Sequence, residues 1–126
     1  MNVEIFTLCE SATVDDGAVS VHRTKELSPL EGRESVMAEL TLVCVLRFFP
    51  DEEGHHTMRV RFEDADGQSV FEAQAKPFVI DLQAMKYDSW RFIQKFSFNF
   101  ELRRGEHRCT LFVDDREKIS IPYYVE

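Results

Sequence analysis

Hydrophobic and polar residues alternate along most of this chain, and the alternation restricts the folds that the chain can adopt. The pattern is clearest from Met58 to Glu63 and from Phe96 to Leu102, where nearly every second residue is apolar. Successive side chains of a β-strand point to opposite faces, so each segment predicts a strand with one buried face and one solvated face. The pattern predicts an all-β protein and leaves the activity unspecified.

Length and composition predict a single globular domain over residues 1–126. The chain is long enough to bury a core without disulfides or metals, and its hydrophobic share of 44% is that of a soluble protein. No apolar run approaches the ~20 residues that cross a bilayer. Residues Met1 to Ile5 also lack the basic start and apolar core of a secretory signal. We therefore predict a cytoplasmic protein without membrane attachment.

Turn signals divide the chain into about eight or nine strands. Asp15-Asp16-Gly17 and Ala65-Asp66-Gly67 predict tight hairpins, because glycine accepts the positive φ of such turns. A polar segment from Glu26 to Ser35 predicts a long connection, and Gln83 to Ser89 is the one candidate for a helical turn. The predicted strands are Asn2–Val14, Ala18–Lys25, Val36–Phe49, His56–Asp64, Ser69–Ala75, Phe78–Leu82, Trp90–Leu102, Arg108–Val113 and Lys118–Val125.

Many short strands and almost no helix predict a two-sheet antiparallel sandwich, with a closed barrel as the alternative. The long Glu26–Ser35 connection favours the sandwich, because it suits a chain that crosses between sheets. Val43 and Val45 occupy the second face of a strand whose first face is already apolar, so both faces are expected to be covered. Pro122 predicts that the last strand lies at a sheet edge or that its backbone points to solvent there, because proline cannot donate to a strand ladder.

Several short stretches resemble a bacterial family of small uncharacterised proteins with an immunoglobulin-like sandwich fold. They are the opening Phe6–Glu10 with its Asp16-Gly17 turn, the stretch Gly54–Val60 leading to Asp64–Gly67, and the closing Gly105–His107 and Ile121–Val125. These residues are mostly turn signals and include no catalytic motif. The chain departs from the family at His107, where such proteins tend to carry tyrosine. The resemblance implies an immunoglobulin-like fold and no particular activity.

The same analogy suggests a structural role for His107. Gly105, His107 and Cys109 match the strand of immunoglobulin domains in which a corner tyrosine precedes a cysteine by two residues. The His107 ring is a candidate to bond the backbone as that tyrosine does. The analogy also places Cys44 opposite Cys109. A disulfide between these two residues would be conceivable. However, Cys9 makes the number of cysteines odd and no secretory signal is present, so buried free thiols are favoured over a disulfide.

Charge and motif content argue against nucleic-acid binding, cofactors and catalysis. The formal net charge is −8 and the basic residues are interspersed with acidic ones, which disfavours a phosphate-binding surface. There is no Gly-x-Ser-x-Gly and no glycine-rich phosphate loop, so we expect no enzyme activity and no cofactor. A catalytic triad scattered along the sequence remains open, because such sites are spatial.

Two features are candidates for metal binding, the His55-His56 pair and the acidic turns. Adjacent His55 and His56 point to opposite faces of a strand, so they are expected to form a solvated turn with the acidic residues before them rather than to share an ion. The acidic turns are candidate calcium ligands, because oxygen-rich loops at one end of a sandwich can hold that ion. The direction of the strands places the Asp15-Asp16 turn and the Asp64–Asp66 turn at opposite ends of the sandwich, so they cannot share one ion. Asp is also an ordinary residue of such turns. The pairs in these turns are Asp15 and Asp16, Asp64 and Asp66, and Asp114 and Asp115.

Aromatic residues give the most specific functional hypothesis, an interaction module without catalysis. Tyrosine, tryptophan and arginine are favoured at the centres of protein interfaces. The alternatives are a subunit that self-associates through an open strand edge and a binder of small molecules or carbohydrates. The competing structural interpretation is that these rings fill the ends of the sandwich and bind nothing. The candidate aromatics are Tyr87, Trp90, Phe92, Tyr123 and Tyr124.

Overall fold

A computed structural model describes residues 1–126 and confirms the all-β prediction. The chain forms eleven strands and two single-turn 3₁₀ helices, at Pro50–Glu52 and Leu82–Ala84. Neither helix is long or apolar enough to cross a membrane. The strands are β1 (Asn2–Asp15), β2 (Ala18–Thr24), β3 (Leu27–Ser28), β4 (Ser35–Phe48), β5 (Gly54–His56), β6 (Met58–Glu63), β7 (Ser69–Gln74), β8 (Phe78–Ile80), β9 (Trp90–Arg103), β10 (Gly105–Val113) and β11 (Arg116–Val125).

Two main sheets form the predicted sandwich. One has the strand order β2-β1-β4-β9 and the other the order β3-β11-β10-β6-β7, while β5 and β8 form a separate small ribbon. Each main sheet has two free edges, so the barrel alternative is wrong. All neighbours are antiparallel except β3, which runs parallel to β11. The sequence analysis missed β3 and merged β5 with β6, because strands of two or three residues are too short to show alternation.

Phenylalanine side chains from both sheets fill the interior. Phe96, Phe98 and Phe100 of β9 belong to one core, as the alternation predicts. The Phe62 ring of the opposite sheet meets Phe100 edge to face with centroids 5.0 Å apart, and Phe71 stacks on Phe100 at 5.1 Å. Such aromatic contacts add stability beyond the area they bury. The two sheets therefore share one continuous core.

The connection between β2 and β4 crosses to the second sheet, as its length predicts. Its short strand β3 pairs with Tyr124 and Val125, and the Leu30 amide donates to the Glu126 carbonyl at 2.8 Å. β3 reaches no further along β11, so β11 is a free edge at Pro122. The expectation for this proline is confirmed.

A hairpin flap, defined here as residues 10–25 of β1 and β2, covers the outer face of the first sheet. Its tip reaches across β4 to β9, where the Arg91 side chain donates to the Gly17 carbonyl and Lys95 Nζ donates to the Ala12 carbonyl. Beneath the flap, Val43 and Val45 are fully buried. The predicted cover over these valines is therefore present, and it is a folded-over part of the same sheet.

Candidate functional site

A cleft at the start of β9 brings together exposed aromatic and basic side chains. Trp90 lies opposite Phe48 in the β4–β9 ladder, and Arg91 lies opposite Arg47. The preceding segment, which follows the Leu82–Ala84 turn, brings Tyr87 to the same place. The cleft has a volume of about 430 Å³. Its lining residues are Arg47, Ala84, Lys86, Tyr87, Ser89, Trp90 and Arg91.

Glu4 holds the two arginines of this cleft in place. Its carboxylate accepts a hydrogen bond from Arg47 Nε at 2.6 Å and lies 3.5 Å from Arg91 Nε. The hydrogen bond from Arg47 lowers the pKa of Glu4, and so does the charge of both guanidinium groups. Arg47 also donates to the Ser89 hydroxyl at 2.8 Å, which fixes the chain just before Trp90. The cleft wall is thus ordered by polar contacts and stays charged at neutral pH.

The predicted aromatic set divides by burial. Tyr87 is 73% exposed and Trp90 is 38% exposed, and both line the cleft. Phe92 is half-buried and stacks on Phe78 with ring centroids 4.1 Å apart, so its ring serves packing. Tyr124 is 36% exposed and lies on the other sheet. Of the five predicted aromatic residues, Tyr87 and Trp90 therefore share one surface, and the other three do not.

Tyr123 is fully buried, so its selection as an exposed aromatic is wrong. Its hydroxyl is hydrogen-bonded to the buried Ser28 hydroxyl of β3, which ties the crossing connection to β11. Burial raises the pKa of Tyr123, and the bond to Ser28 offsets part of that rise. Tyr123 shares the phase of Ile121 and Val125, and this alternation was the signal that could have identified it as a core residue.

His56 belongs to a polar cluster that sequence reasoning missed. The expectation of a solvated histidine pair is wrong for this residue, although His55 is exposed. His56 Nε2 lies 2.6 Å from the Glu52 carbonyl, and Nδ1 lies 2.7 Å from Asp114 Oδ2. Both partners only accept, so a doubly protonated ring satisfies both contacts. The ring also lies between Phe48 and Phe78, at centroid distances of 5.1 and 5.9 Å.

The pKa values of this pair move apart. Burial alone would lower the pKa of His56, but the hydrogen bonds to Glu52 and Asp114 outweigh it and raise the pKa above 6.5. Burial alone would raise the pKa of Asp114, but the amide of Thr57 and the His56 ring outweigh it and lower the pKa. The pair therefore fastens the β10–β11 turn to β5. It is a structural contact, with both ring nitrogens occupied.

Two of the acidic turns use a carboxylate to accept backbone amides. Asp64 Oδ1 accepts from the amides of Asp66 and Gln68, each at 2.9 Å, and Asp114 Oδ1 accepts from the Thr57 amide at 2.9 Å. No group of three or more His, Cys, Asp or Glu side chains converges in a way that could hold a metal ion. These contacts give the turn aspartates an ordinary structural role.

His107 and the cysteines lie in the interior. His107 is buried, and its Nδ1 donates to the Gly105 carbonyl at 3.2 Å, which is the kind of backbone contact expected of a corner residue. All three cysteines are free and buried. Burial raises the pKa of Cys109 to about 12 and that of Cys44 well above its usual value, so both thiols stay protonated. Neither is a nucleophile at neutral pH.

Comparison with known proteins places the chain in a family. No curated protein and no solved structure matches it. One family model matches residues 4–126 and is described as a family of unknown function (DUF6941). The match covers almost every strand described above, including the strands that form the cleft. The chain therefore belongs to the DUF6941 family of unknown function.

Proposed function

We propose that this protein is a non-catalytic interaction module that binds a protein partner at the Tyr87–Trp90 cleft. The observation that carries the proposal is the exposure of both rings beside Arg47 and Arg91. Aromatic side chains and arginine are the groups most often found in the energetic centre of an interface. The Glu4 contacts hold the arginines in position before binding, which reduces the entropy lost when a partner docks.

The polar clusters support a role without catalysis. A general base needs a ring nitrogen or carboxylate that is free to accept a substrate proton. Both ring nitrogens of His56 are occupied, and Asp64 and Asp114 accept backbone amides. The buried, protonated thiols of Cys44 and Cys109 also fit the reducing cytoplasm, which we propose as the location.

We also propose that the sandwich is immunoglobulin-like and that the family is bacterial. Strands β1, β4 and β9 have the neighbour relations of immunoglobulin strands A, B and E, and β6, β10 and β11 those of C, F and G. The resemblance in the turns and closing strand supports the bacterial assignment. An experimental structure with another strand order would contradict the topology.

Affinity capture with matched variants tests the proposed surface. The wild-type protein, a Tyr87→Ala/Trp90→Ala double variant and Tyr124→Ala are each expressed with a tag in cells that carry the gene. Captured proteins are then compared quantitatively. Tyr124 is a matched control, because its exposed fraction is close to that of Trp90 and it lies on the other sheet.

The proposal expects a protein that wild type and Tyr124→Ala capture equally and that the double variant loses by at least about tenfold, since a central aromatic residue contributes ~2 kcal/mol or more. Equal capture by all three proteins would remove the cleft as the binding surface. If the cleft instead binds a sugar or metabolite, the purified double variant would lose a ligand-induced rise in Tm and no captured protein would change.

A further inference from the structure

We propose that β9 pairs with β9 of a second copy of this chain, so that two four-stranded sheets join into one. The inference goes beyond the proposed function, because it uses residues 95–101 of the strand, none of which lines the Tyr87–Trp90 cleft. β9 is a sheet edge, bonded only to β4. It runs for 14 residues, from Trp90 to Arg103, without proline, glycine or any register shift against β4.

The other sheet edges carry features that discourage pairing. β2 is interrupted at Arg23, whose φ is +53°, a value that breaks an extended edge. β11 has Pro122 at its free edge, and β7 pairs with β6 through a register shift and ends shortly before Pro77. Bulges, proline and short length are the usual means by which edges avoid other strands. Only β9 is a long, regular and open edge.

Two contacts show which main-chain groups of β9 face outward. The Leu8 carbonyl accepts from the Lys25 amide, so Leu8 directs its main-chain groups away from β4. Leu8 lies opposite Leu42, and Leu42 lies opposite Phe96, so Phe96 bonds to β4 while its neighbours point to the free edge. The Gln94 side chain donates to the Lys95 carbonyl at 3.0 Å, which agrees with this assignment. Alternation extends it to Ser97, Asn99 and Glu101.

The charges of β9 select one register for a two-fold pairing. Lys95, Ser97, Asn99 and Glu101 are exposed on one face of the strand, and neither Lys95 nor Glu101 has an ion-pair partner within the chain. Lys95 Nζ donates one hydrogen bond to the Ala12 carbonyl, and its remaining N–H groups are free to meet a carboxylate. If the two-fold axis that relates the two copies passes beside Phe98, Lys95 of each copy lies opposite Glu101 of the other, which gives two identical ion pairs. Ser97 then lies opposite Asn99. Opposite charges facing each other across strands are stabilising.

The neighbouring same-face registers are worse. A shift of the axis to Ser97 or Asn99 places Arg103 opposite a cationic side chain of the second copy, either Arg91 or Lys95, and like charges across strands repel. A shift to Phe96 pairs Glu101 with Arg91. That arginine already has a carboxylate partner in Glu4, whereas Lys95 has none. The register about Phe98 is therefore the one that satisfies both unpaired charges.

Sedimentation velocity over a range from about 1 µM to about 1 mM tests the pairing, since weak homodimers have dissociation constants within this range. Wild type is expected to shift from monomer to dimer as concentration rises. Ser97→Pro removes an outward amide without breaking a bond to β4, so it is expected to stay folded and monomeric, while Ser97→Ala keeps the dimer. A wild-type protein that remains monomeric throughout, or a dimer that tolerates Ser97→Pro, would overturn the proposal.

Charge reversal tests the register. Lys95→Glu and Glu101→Lys are each expected to weaken the dimer by about tenfold, because both symmetric pairs become repulsive. The double variant Lys95→Glu/Glu101→Lys restores opposite charges and is expected to restore dimerisation. Failure of the double variant to recover, with an unchanged folded circular dichroism spectrum, would rule out pairing about Phe98. Capture through Tyr87 and Trp90 is scored separately, so either proposal can fail alone.

Discussion

Replacing Asp114 with asparagine should remove the carboxylate's contribution to the pH dependence of stability at His56 while preserving the geometry of the ring. In the native protein both ring nitrogens donate, to the Glu52 carbonyl and to the Asp114 carboxylate. An asparagine amide can donate to Nδ1 instead, so the neutral ring would satisfy both partners. Asp114→Asn therefore keeps the hydrogen bonds and removes the reason for protonation.

The size of the effect follows from exposure. A hydrogen bond to a charged group contributes about 1.5–3 kcal/mol. Asp114 is 46% exposed, so solvent screening reduces the expected value to about 1 kcal/mol. The folded pKa of His56 lies above 6.5, so this stabilisation is complete below pH 6.5 and is lost as pH rises through the folded pKa.

Urea unfolding at several pH values and NMR titration of the His56 ring provide the measurements. At pH ~6 the variant should lose about 1 kcal/mol of unfolding free energy, and the loss should shrink towards zero above the folded pKa. In Asp114→Asn the His56 pKa should fall relative to the native protein, because the hydrogen bond and charge of the carboxylate no longer offset burial. A variant with the wild-type pH profile, or a native His56 that titrates below 6.5, would refute this reasoning.

Three further predictions concern the buried tyrosine, the flap and the core. Tyr123→Phe should lower the unfolding free energy by about 1–2 kcal/mol, because the buried Ser28 hydroxyl loses its partner, whereas Tyr124→Phe should change it little in the same urea titration. Arg91→Met should make amides of β2 exchange about fivefold faster, because the flap tip loses its hydrogen bond at Gly17. Hydrogen-exchange mass spectrometry measures this rate. Unchanged protection would show that apolar contacts alone hold the flap. Phe98→Ala should lower the free energy of unfolding by about 3–5 kcal/mol in thermal or urea unfolding. Asn99→Ala, at the adjacent exposed position, should change it by no more than about 0.5 kcal/mol. Similar losses in the two variants would contradict the assigned strand phase.

Local patterns predicted the strands and hairpins because they depend on neighbours in sequence. Asp15-Asp16-Gly17 forms the tight turn between β1 and β2, and the phenylalanines of β9 point inward together. Burial of Val43 and Val45 was predicted from their phase. The identity of their cover was not, because alternation does not reveal that a hairpin bends across its own sheet.

Contacts between distant segments could not be predicted in the same way. The His56–Asp114 contact joins residues 58 positions apart, and it exists because the β10–β11 turn ends beside β5. The cleft is similar. Trp90 has the same phase as the buried Phe96, but it is the first residue of the edge strand β9, and its ring is partly exposed. Only the packing of whole strands decides such positions.

Site-specific photo-crosslinking in cells is the most direct test that this protein acts by binding a partner at its cleft. A photoreactive phenylalanine analogue replaces Tyr87 in one strain and Tyr124 in another, and crosslinked products are resolved by mass spectrometry. The Tyr87 position should yield a discrete adduct with another protein that the Tyr124 position does not yield. Identical products at both positions, or none at Tyr87, would contradict the proposed binding surface.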